Sequence, residues 1–423
     1  LVIMNKNLVN KIFITIGFLF VYRLLAYVPV PGVDTAVIAS FFDSHQSDAL
    51  GLFNMFSGNA VERLSIISLG IMPYITASII MELLAATFAP LGQMKKERDG
   101  MVKYMQIIRY ATIVITIIQA IGVSVGLQSL TGPSGNSAIL ADHNTFILLS
   151  AVSMLAGTML LMWIGEQITQ SGIGNGISLI IFAGIVSAIP SAIGQTITMV
   201  NTGAMSFITV IAILALILGT VGVIIYVELG ERRVPITYAK KTMMQNQDKR
   251  VMNYIPIKVN LAGVIPVIFA SAILMFPMTV LSSSTNPTMQ TIADFLNPNS
   301  YFFNFLTFTF VIFFAFFYAS ITFNAKDIAD NLKRQGGFIP GIRTGNATKE
   351  FLNDTAGKLT ITGALYLGLV ATLPFMIIKG MGVPFFFGGT AVLIVVQVAL
   401  DTMRKIEAQV YMSKYETLSA VGL

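Results

Sequence analysis

The chain consists of long apolar segments separated by short polar ones. A helix that crosses a membrane needs about 20 mostly apolar residues. Ten segments of the 423-residue chain meet this requirement, and they cover approximately residues 11–29, 65–87, 104–127, 145–166, 174–193, 206–228, 261–282, 301–324, 359–378 and 384–401. Strands of a membrane β-barrel alternate apolar and polar residues over about 10 positions, whereas segments such as 207–227 and 302–323 are apolar on every face. The pattern predicts an all-α, polytopic membrane protein with ten transmembrane helices.

The basic residues predict how the chain is oriented in the membrane. Lysines and arginines form five clusters, and the numbers of apolar segments between successive clusters are two, four, two and two. Since every number is even, all clusters lie on one side, here called the basic face, which holds 23 of the 26 basic residues. Cytoplasmic loops are rich in Lys and Arg, so this face and both termini are predicted to be cytoplasmic. The exceptions are Arg23, Arg63 and Lys379.

The composition narrows the possible classes of protein. Hydrophobic residues make up 55% of the chain, charged residues 11%, and the mean hydropathy is +0.78. A soluble domain carries roughly 25% charged residues and a disordered chain has low hydrophobicity, so both classes are excluded. The chain has no cysteine, and His45 and His143 lie far apart. Because the sequence shows no catalytic dyad and no metal-binding motif, it predicts neither an enzyme nor a bound metal or cofactor.

A segment at about residues 50–64 is too hydrophobic for a free loop and too short to span a membrane. An apolar patch is followed by small and polar residues: Leu52, Phe53, Met55 and Phe56, then Ser57, Gly58 and Asn59. One interpretation is an interfacial or packed half-helix. The other is a re-entrant segment that fills a cavity, because irregular backbone at membrane depth must be buried in protein or line water.

Isoleucines recur at helical spacing in two of the apolar segments. Ile71 and Ile75 form one pair, and Ile177 and Ile181 form another. A spacing of four residues places both members of a pair on one helix face. Such pairs fit ordinary packing or lipid contact, and they also fit a hydrophobic constriction in which stiff β-branched side chains exclude water from a pore.

Two long basic loops indicate where a partner could bind. The loops at residues 229–260 and 325–358 exceed ordinary connection lengths, and long ordered loops commonly serve a purpose such as partner docking.

The alternative to a channel is a secondary transporter of a small solute, which requires polar or charged groups near the midplane. The sequence has isoleucines there instead, so the transporter is the second hypothesis.

Motifs along the whole chain have the order and spacing of one known family. They include Tyr27-Val-Pro-Val-Pro-Gly-Val-Asp34, Phe53-Asn-Met-Phe-Ser-Gly58, Leu69-Gly-Ile-Met-Pro-Tyr74, Gly172-Ile-Gly-Asn-Gly176, Lys258-Val-Asn-Leu-Ala-Gly263, Gly337-Phe-Ile-Pro-Gly-Ile-Arg343 and Val383-Pro-Phe-Phe-Phe-Gly-Gly-Thr390. Together they resemble the SecY family, whose members form the channel subunit of the general protein-secretion translocase. The resemblance implies a channel that translocates secretory polypeptides across the bacterial plasma membrane and releases signal and transmembrane segments laterally into it.

The resemblance also implies an architecture and a set of site residues. Two pseudo-symmetric inverted halves, residues 1–205 with helices one to five and residues 206–423 with helices six to ten, would enclose a central pore. The pore ring would consist of Ile71, Ile75, Ile177, Ile181, Ile268 and Ile394. The segment at 50–64 would be the plug, and helices two, three, seven and eight would form a lateral gate with Pro73, Ile80 and Phe276. Asn59 stands where the plug commonly has a glycine.

The sequence contains no ATP-binding motif, so the driving energy must come from a partner. The resemblance implies the SecA ATPase or a translating ribosome, with Arg343 as the main docking residue. Further docking residues would lie in the first long loop: Arg232, Arg233, Lys240, Lys241, Lys249 and Arg250. The other implied partners are the SecE and SecG subunits, unfolded preproteins, signal peptides and membrane lipids.

Overall fold

A computed structural model describes most of the chain and has the predicted helical architecture. The described residues are 6–35, 37–38, 54, 57–128, 139, 142–238, 253–282, 295–297, 300–380 and 388–420. In chain order the elements are α1 (Lys6–Leu25), α2 (Met72–Thr87), α3 (Ala89–Lys96), α4 (Arg98–Gln128), α5 (His143–Ser171), α6 (Gly176–Asn201), α7 (Phe207–Leu229), β1 (Glu231–Tyr238), β2 (Asn253–Lys258), α8 (Ile265–Ser282), α9 (Tyr301–Thr322), α10 (Ala325–Arg334), β3 (Gly337–Phe338), α11 (Asn346–Gly380) and α12 (Gly389–Ala420).

The long helices coincide with the ten predicted segments. Within the described ranges, seven helices are long and apolar enough to cross a membrane alone. Helices α2 and α3 pass the same test together, with a bend of 114° between them, and the apolar part of α8, Ile265–Met275, is shorter. One long helix lies over each predicted segment. The all-α membrane architecture is therefore confirmed.

Helix α2 begins seven residues later than the apolar pattern predicted. Residues 65–71 form turns, and Gly70 has a φ of +58°, a conformation that glycine adopts without strain. Pro73 lies in the first turn of α2, where its missing N–H costs no hydrogen bond. A 16-residue helix is only about 24 Å long, less than the roughly 30 Å hydrocarbon core. The turns that precede α2 are largely buried in protein.

The two long basic loops form one three-stranded sheet, a feature that the sequence did not predict. Strand β1 pairs antiparallel with β2, placing Val234 opposite Ile255, and antiparallel with β3, placing Thr237 opposite Phe338. A separate apolar cluster that includes Val234 and Leu352 packs this sheet against the start of α11. Both loops therefore belong to one folded unit on the basic face.

Helix α5 packs closely against the turns that precede α2. At Gly157, a Cβ atom would lie 2.0 Å from the carbonyl oxygen of Ile66. Only a residue without a side chain permits this approach, because real Cβ atoms do not come so close to backbone oxygen. The close contact holds residues 65–71 against α5.

Replacing Gly157 with alanine should destabilise the protein. The added methyl group forces α5 and the Ile66 backbone apart, and overpacking of this kind typically costs about 1–3 kcal/mol. The thermal unfolding midpoint of the purified protein in detergent should fall. The matched control is Gly122→Ala in α4, where an added Cβ meets no heavy atom within 4 Å. Equal midpoints for the two variants would contradict the predicted close contact.

Candidate functional site

Five of the six isoleucines of the predicted ring lie in four helices that contact one another in series. Ile71 precedes α2, and the other five lie in α2, α6, α8 and α12: Ile75, Ile177, Ile181, Ile268 and Ile394. Helix α2 contacts α8, α8 contacts α12, and α12 contacts α6. All six residues belong to one continuous hydrophobic cluster, five of them buried and Ile177 partly buried. The structure thus gathers residues that are up to 323 positions apart in sequence, from Ile71 to Ile394.

The turn that precedes α6 fixes the position of its two isoleucines. Asn175 caps the helix, and its side-chain oxygen accepts a hydrogen bond from the backbone N–H of Ile177 at 3.1 Å. A Cβ atom at Gly176 would lie 2.0 Å from the carbonyl oxygen of Gly165 in α5, so α5 and α6 are in very close contact here. The glycine-rich motif at residues 172–176 is therefore a tight turn between α5 and α6, with Gly174 at a φ of +99°.

The predicted plug is described only at its C-terminal end. Leu52, Phe53, Met55 and Phe56 lie outside the described residues, whereas Asn54 and residues 57–64 are described. Residues 57–64 form turns, and the side-chain oxygen of Asn54 accepts a hydrogen bond from the N–H of Glu62 at 3.0 Å. Asn59 has a φ of +63°, a left-handed conformation that asparagine tolerates better than most residues. The departure from glycine at this position is therefore structurally acceptable.

The four helices of the predicted lateral gate are in contact. Helix α8 touches α2, α4 and α9, and Phe269 in α8 packs edge-to-face against Phe314 of α9 with ring centroids 5.9 Å apart. Pro73 is buried in the first turn of α2, and Ile80 is exposed on the same helix. The backbone of Phe276 lies in α8, but its side chain is outside the described part of the structure.

The folded unit that contains the sheet carries three of the predicted docking residues. Arg232 and Arg233 lie on β1, and Arg343 lies in the segment between β3 and α11, with all three side chains exposed. Lys240, Lys241, Lys249 and Arg250 fall outside the described residues. The Arg233 guanidinium bonds to the Glu231 carboxylate at 2.7 Å, which raises the pKa of Arg233. The backbone oxygen of Arg343 accepts a hydrogen bond from the Thr348 hydroxyl at 2.8 Å, so its side chain extends from a fixed backbone.

A cavity opens between helices α2 to α6 on the basic face. It has a volume of about 790 Å³ and is lined by residues of α2, α3, α4, α5 and α6, including Tyr74 and Ile177. Arg109 on its wall forms a two-point ion pair with Glu166, with a shortest distance of 2.7 Å. Since Ile177 lines this cavity, the cavity extends from the basic face as far as a ring residue.

Sequence reasoning missed a buried polar network at the end of α7. The side-chain amide of Asn260 donates to the Glu228 carboxylate at 2.6 Å, and the Gln397 amide donates to the same oxygen. The Arg404 guanidinium donates to the backbone oxygen of Glu228 at 2.8 Å. A cavity of about 260 Å³ adjoins the network. The partners lie 32 and 169 positions from Glu228, so no local motif could have indicated the network.

Comparison with known proteins identifies close relatives of the chain. A model of the SecY family matches residues 65–403. The protein translocase subunit SecY of Helicobacter pylori is 67% identical over 420 residues, covering 99% of this chain and 100% of the relative. The protein of the same description from Escherichia coli K12 is 41% identical over 416 residues, covering 97% of this chain and 94% of the relative.

The fold also matches solved structures of protein-conducting channels. One such channel superimposes with a TM-score of 0.67 at 18% identity, covering 96% of this chain and 93% of the other. A SecY structure that concerns the plug domain gives a TM-score of 0.69 at 18% identity, with the same coverage. At this identity the structures support the fold.

Proposed function

The chain belongs to the SecY family of protein translocase subunits, and on this premise we propose that secretory polypeptides cross the membrane through the ring of six isoleucines. The protein is a channel subunit, as the sequence resemblance predicted, and its family is not one of enzymes. The competing hypothesis of a small-solute transporter is not favoured, because the relatives are protein translocase subunits. The observation that carries the proposal is the series of contacts from α2 to α8, from α8 to α12 and from α12 to α6, since these four helices carry five of the six isoleucines and Ile71 directly precedes α2.

The ring would act as a seal that yields to a passing chain. Isoleucine is β-branched and stiff at χ1, and a narrow apolar constriction blocks ions by excluding water. The cavity that reaches Ile177 from the basic face would be the vestibule through which the unfolded polypeptide approaches. On the opposite side, the plug at about residues 50–64 would cover the closed ring.

The gate between α2, α4, α8 and α9 would select segments by their partition into lipid. A segment of about 20 apolar residues favours the hydrocarbon core, whereas one charged residue at the membrane centre costs roughly 2.5–3.5 kcal/mol. Apolar signal peptides and transmembrane segments would therefore leave sideways past Pro73, Ile80 and Phe276. Polar segments of a preprotein would continue through the ring.

The sheet on the basic face would be the docking surface for the partner that supplies energy. We propose that the SecA ATPase or a ribosome binds to Arg343 together with the basic residues of the first long loop. A solved Sec61 from a canine ribosome–channel complex has a similar fold, with a TM-score of 0.62 at 18% identity. The exposed apolar faces of helices such as α7 would contact SecE, SecG and membrane lipids.

The same premise supports a location and an arrangement in halves. The relatives described above are bacterial, so the proposed location is the bacterial plasma membrane, with the basic face and both termini in the cytoplasm. Residues 1–205 and 206–423 would form the two inverted halves. Helices α2, α4 and α6 of the first half contact α8 and α12 of the second, and these helices carry the ring and most of the gate.

A disulfide crosslink tests passage through the ring. Because the chain has no native cysteine, an engineered cysteine is its only thiol. One cysteine replaces Ile75, and another is placed in a secretory precursor that is stalled halfway across reconstituted vesicles. A crosslink should form only when the motor ATPase and a functional signal sequence are present. The control position is Ile211, which is exposed on α7 and should not crosslink. With stalling verified, no crosslink at Ile75 or at Ile181 would mean that the polypeptide passes elsewhere.

A further inference from the structure

Arg23 is one of the few basic residues away from the basic face, and it bridges three parts of the chain. It lies in the last turn of α1. Its Nη1 atom donates a hydrogen bond to the carbonyl oxygen of Gly58 at 2.8 Å and another to Ser187 Oγ at 2.9 Å. Ser187 Oγ in turn donates to the carbonyl oxygen of Gly184 at 2.7 Å. One guanidinium nitrogen thus joins α1, the end of the plug segment and α6.

The plug segment fits closely against both helices at this point. The Tyr22 hydroxyl donates to the carbonyl oxygen of Ser57 at 3.2 Å. Gly58 is buried and has a φ of +72°, and a Cβ atom there would lie 2.7 Å from the Tyr22 hydroxyl and 3.1 Å from the Cα atom of Gly184. Because Gly58 has no side chain, its backbone can lie close to α1 and α6. In this position its carbonyl oxygen accepts the hydrogen bond from Arg23.

These contacts lie immediately beyond the ring on the side away from the basic face. Helix α6 runs from the turn at Asn175 through Ile181 to Gly184 and Ser187. Ser187 follows Ile181 by six residues, which corresponds to about 9 Å along the helix. The Arg23 contacts therefore lie where a plug would have to be released before a polypeptide could leave the ring.

We propose that Arg23 is a positioning residue that latches the plug in the closed channel through Gly58 and Ser187. Hydrogen bonds donated by a charged group are roughly twice as strong as neutral ones, so their loss shifts the balance between closed and open channel. Opening has to break the Arg23–Gly58 bond. This inference rests on the proposed ring and plug, and it adds the residue that regulates them.

The latch predicts a specific effect of removing the guanidinium. Arg23→Met keeps the length of the side chain and removes the donors, whereas Ser187→Ala removes one of the two acceptors. The intact translocase in planar bilayers should show a resting ion conductance about tenfold higher with Arg23→Met, the size expected for a lost charged hydrogen bond, and a smaller rise with Ser187→Ala. Arg23→Met should also export a precursor with a defective signal sequence. Arg334→Met is the control, because Arg334 is exposed at the end of α10 and lies outside the plug, the ring and the gate, so this variant should keep the wild-type conductance.

A combination with removal of the plug separates the latch from a merely structural role. If Arg23 acts through the plug, Arg23→Met adds no further conductance to a channel from which residues 50–60 have been deleted. The latch is overturned if Arg23→Met adds as much conductance to the plug-deleted channel as it adds to the intact channel. It is also overturned if the plug deletion leaks but Arg23→Met alone has the conductance of the wild type. If the deletion alone causes no leak, the proposed plug fails and the latch falls with it. Normal export of an intact precursor by Arg23→Met verifies that the variant is folded.

Discussion

Replacing Arg343 with glutamate should abolish ATPase-driven translocation while leaving the channel folded and closed to ions. The side chain is exposed, and its backbone is held by Thr348, so the substitution changes charge without disturbing the sheet. Arginine is a frequent hot-spot residue, and a hot spot contributes about 2 kcal/mol or more, equivalent to about thirtyfold in affinity. Charge reversal adds repulsion from any acidic or phosphate-rich partner surface. Precursor import into vesicles containing the variant measures the effect.

A second charge reversal on the same face provides the control. Arg334 lies exposed at the end of α10, so Arg334→Glu changes the net charge of the basic face by the same amount. Import should remain close to wild type, because Arg334 is not among the predicted docking residues. Normal import with Arg343→Glu would remove Arg343 from the docking surface. Equal losses with both variants would show that overall charge, rather than a docking contact, is responsible.

Asparagine at Ile181 or Ile268 should make the closed channel leak ions and should weaken its discrimination between functional and defective signal sequences. Both residues are buried, at 4% and 8% exposure. Burying an isoleucine is worth about 1.5–3 kcal/mol, and about 1.4 kcal/mol changes an equilibrium tenfold. The asparagine amide attracts water into the constriction, and the substitution removes the free energy gained by burying the isoleucine. We therefore expect a rise of about tenfold in resting conductance for each variant. Single-channel recording in planar bilayers gives the leak, and export of a signal-defective precursor gives the discrimination.

Two controls separate the seal from general loss of packing. Ile181→Val keeps a β-branched apolar side chain and should stay closed to ions. Ile213→Asn places the same amide at a buried position in α7, outside the hydrophobic cluster that contains the six isoleucines, and should lower stability without opening the channel. Unchanged conductance for both ring variants, with the proteins shown to be folded, would argue against the ring assignment. A leak from Ile213→Asn of equal size would attribute the effect to destabilisation.

The positions of the long helices were predictable because lipid imposes a simple rule. A chain that crosses hydrocarbon must satisfy its own backbone hydrogen bonds and cover itself with apolar side chains, so each crossing leaves a continuous signal in the sequence. Helix boundaries were less predictable. The segment before Met72 is as apolar as α2 itself, but its backbone is turned, and it is buried by protein rather than by lipid.

The contacts that complete the site were not predictable from local pattern. Strand β1 pairs with β3 through Thr237 and Phe338, about a hundred positions along the chain, and two-residue strands leave almost no periodic signal. The Arg23–Ser187 bond spans 164 positions. The sequence identified Arg23 as a basic residue in an unexpected place, and only its neighbours in the structure explain that place.

The sequence by itself determined the class of protein, the positions of the long apolar helices and, through its motifs, the family. These follow from composition and short-range pattern, because the membrane acts on each segment separately. Tertiary structure decided which helices share the six-isoleucine cluster, how two basic loops join in one sheet, and how Glu228 and Arg23 find partners. Those outcomes depend on packing between distant segments, where shape and hydrogen-bond geometry select one arrangement from many that the same apolar pattern allows.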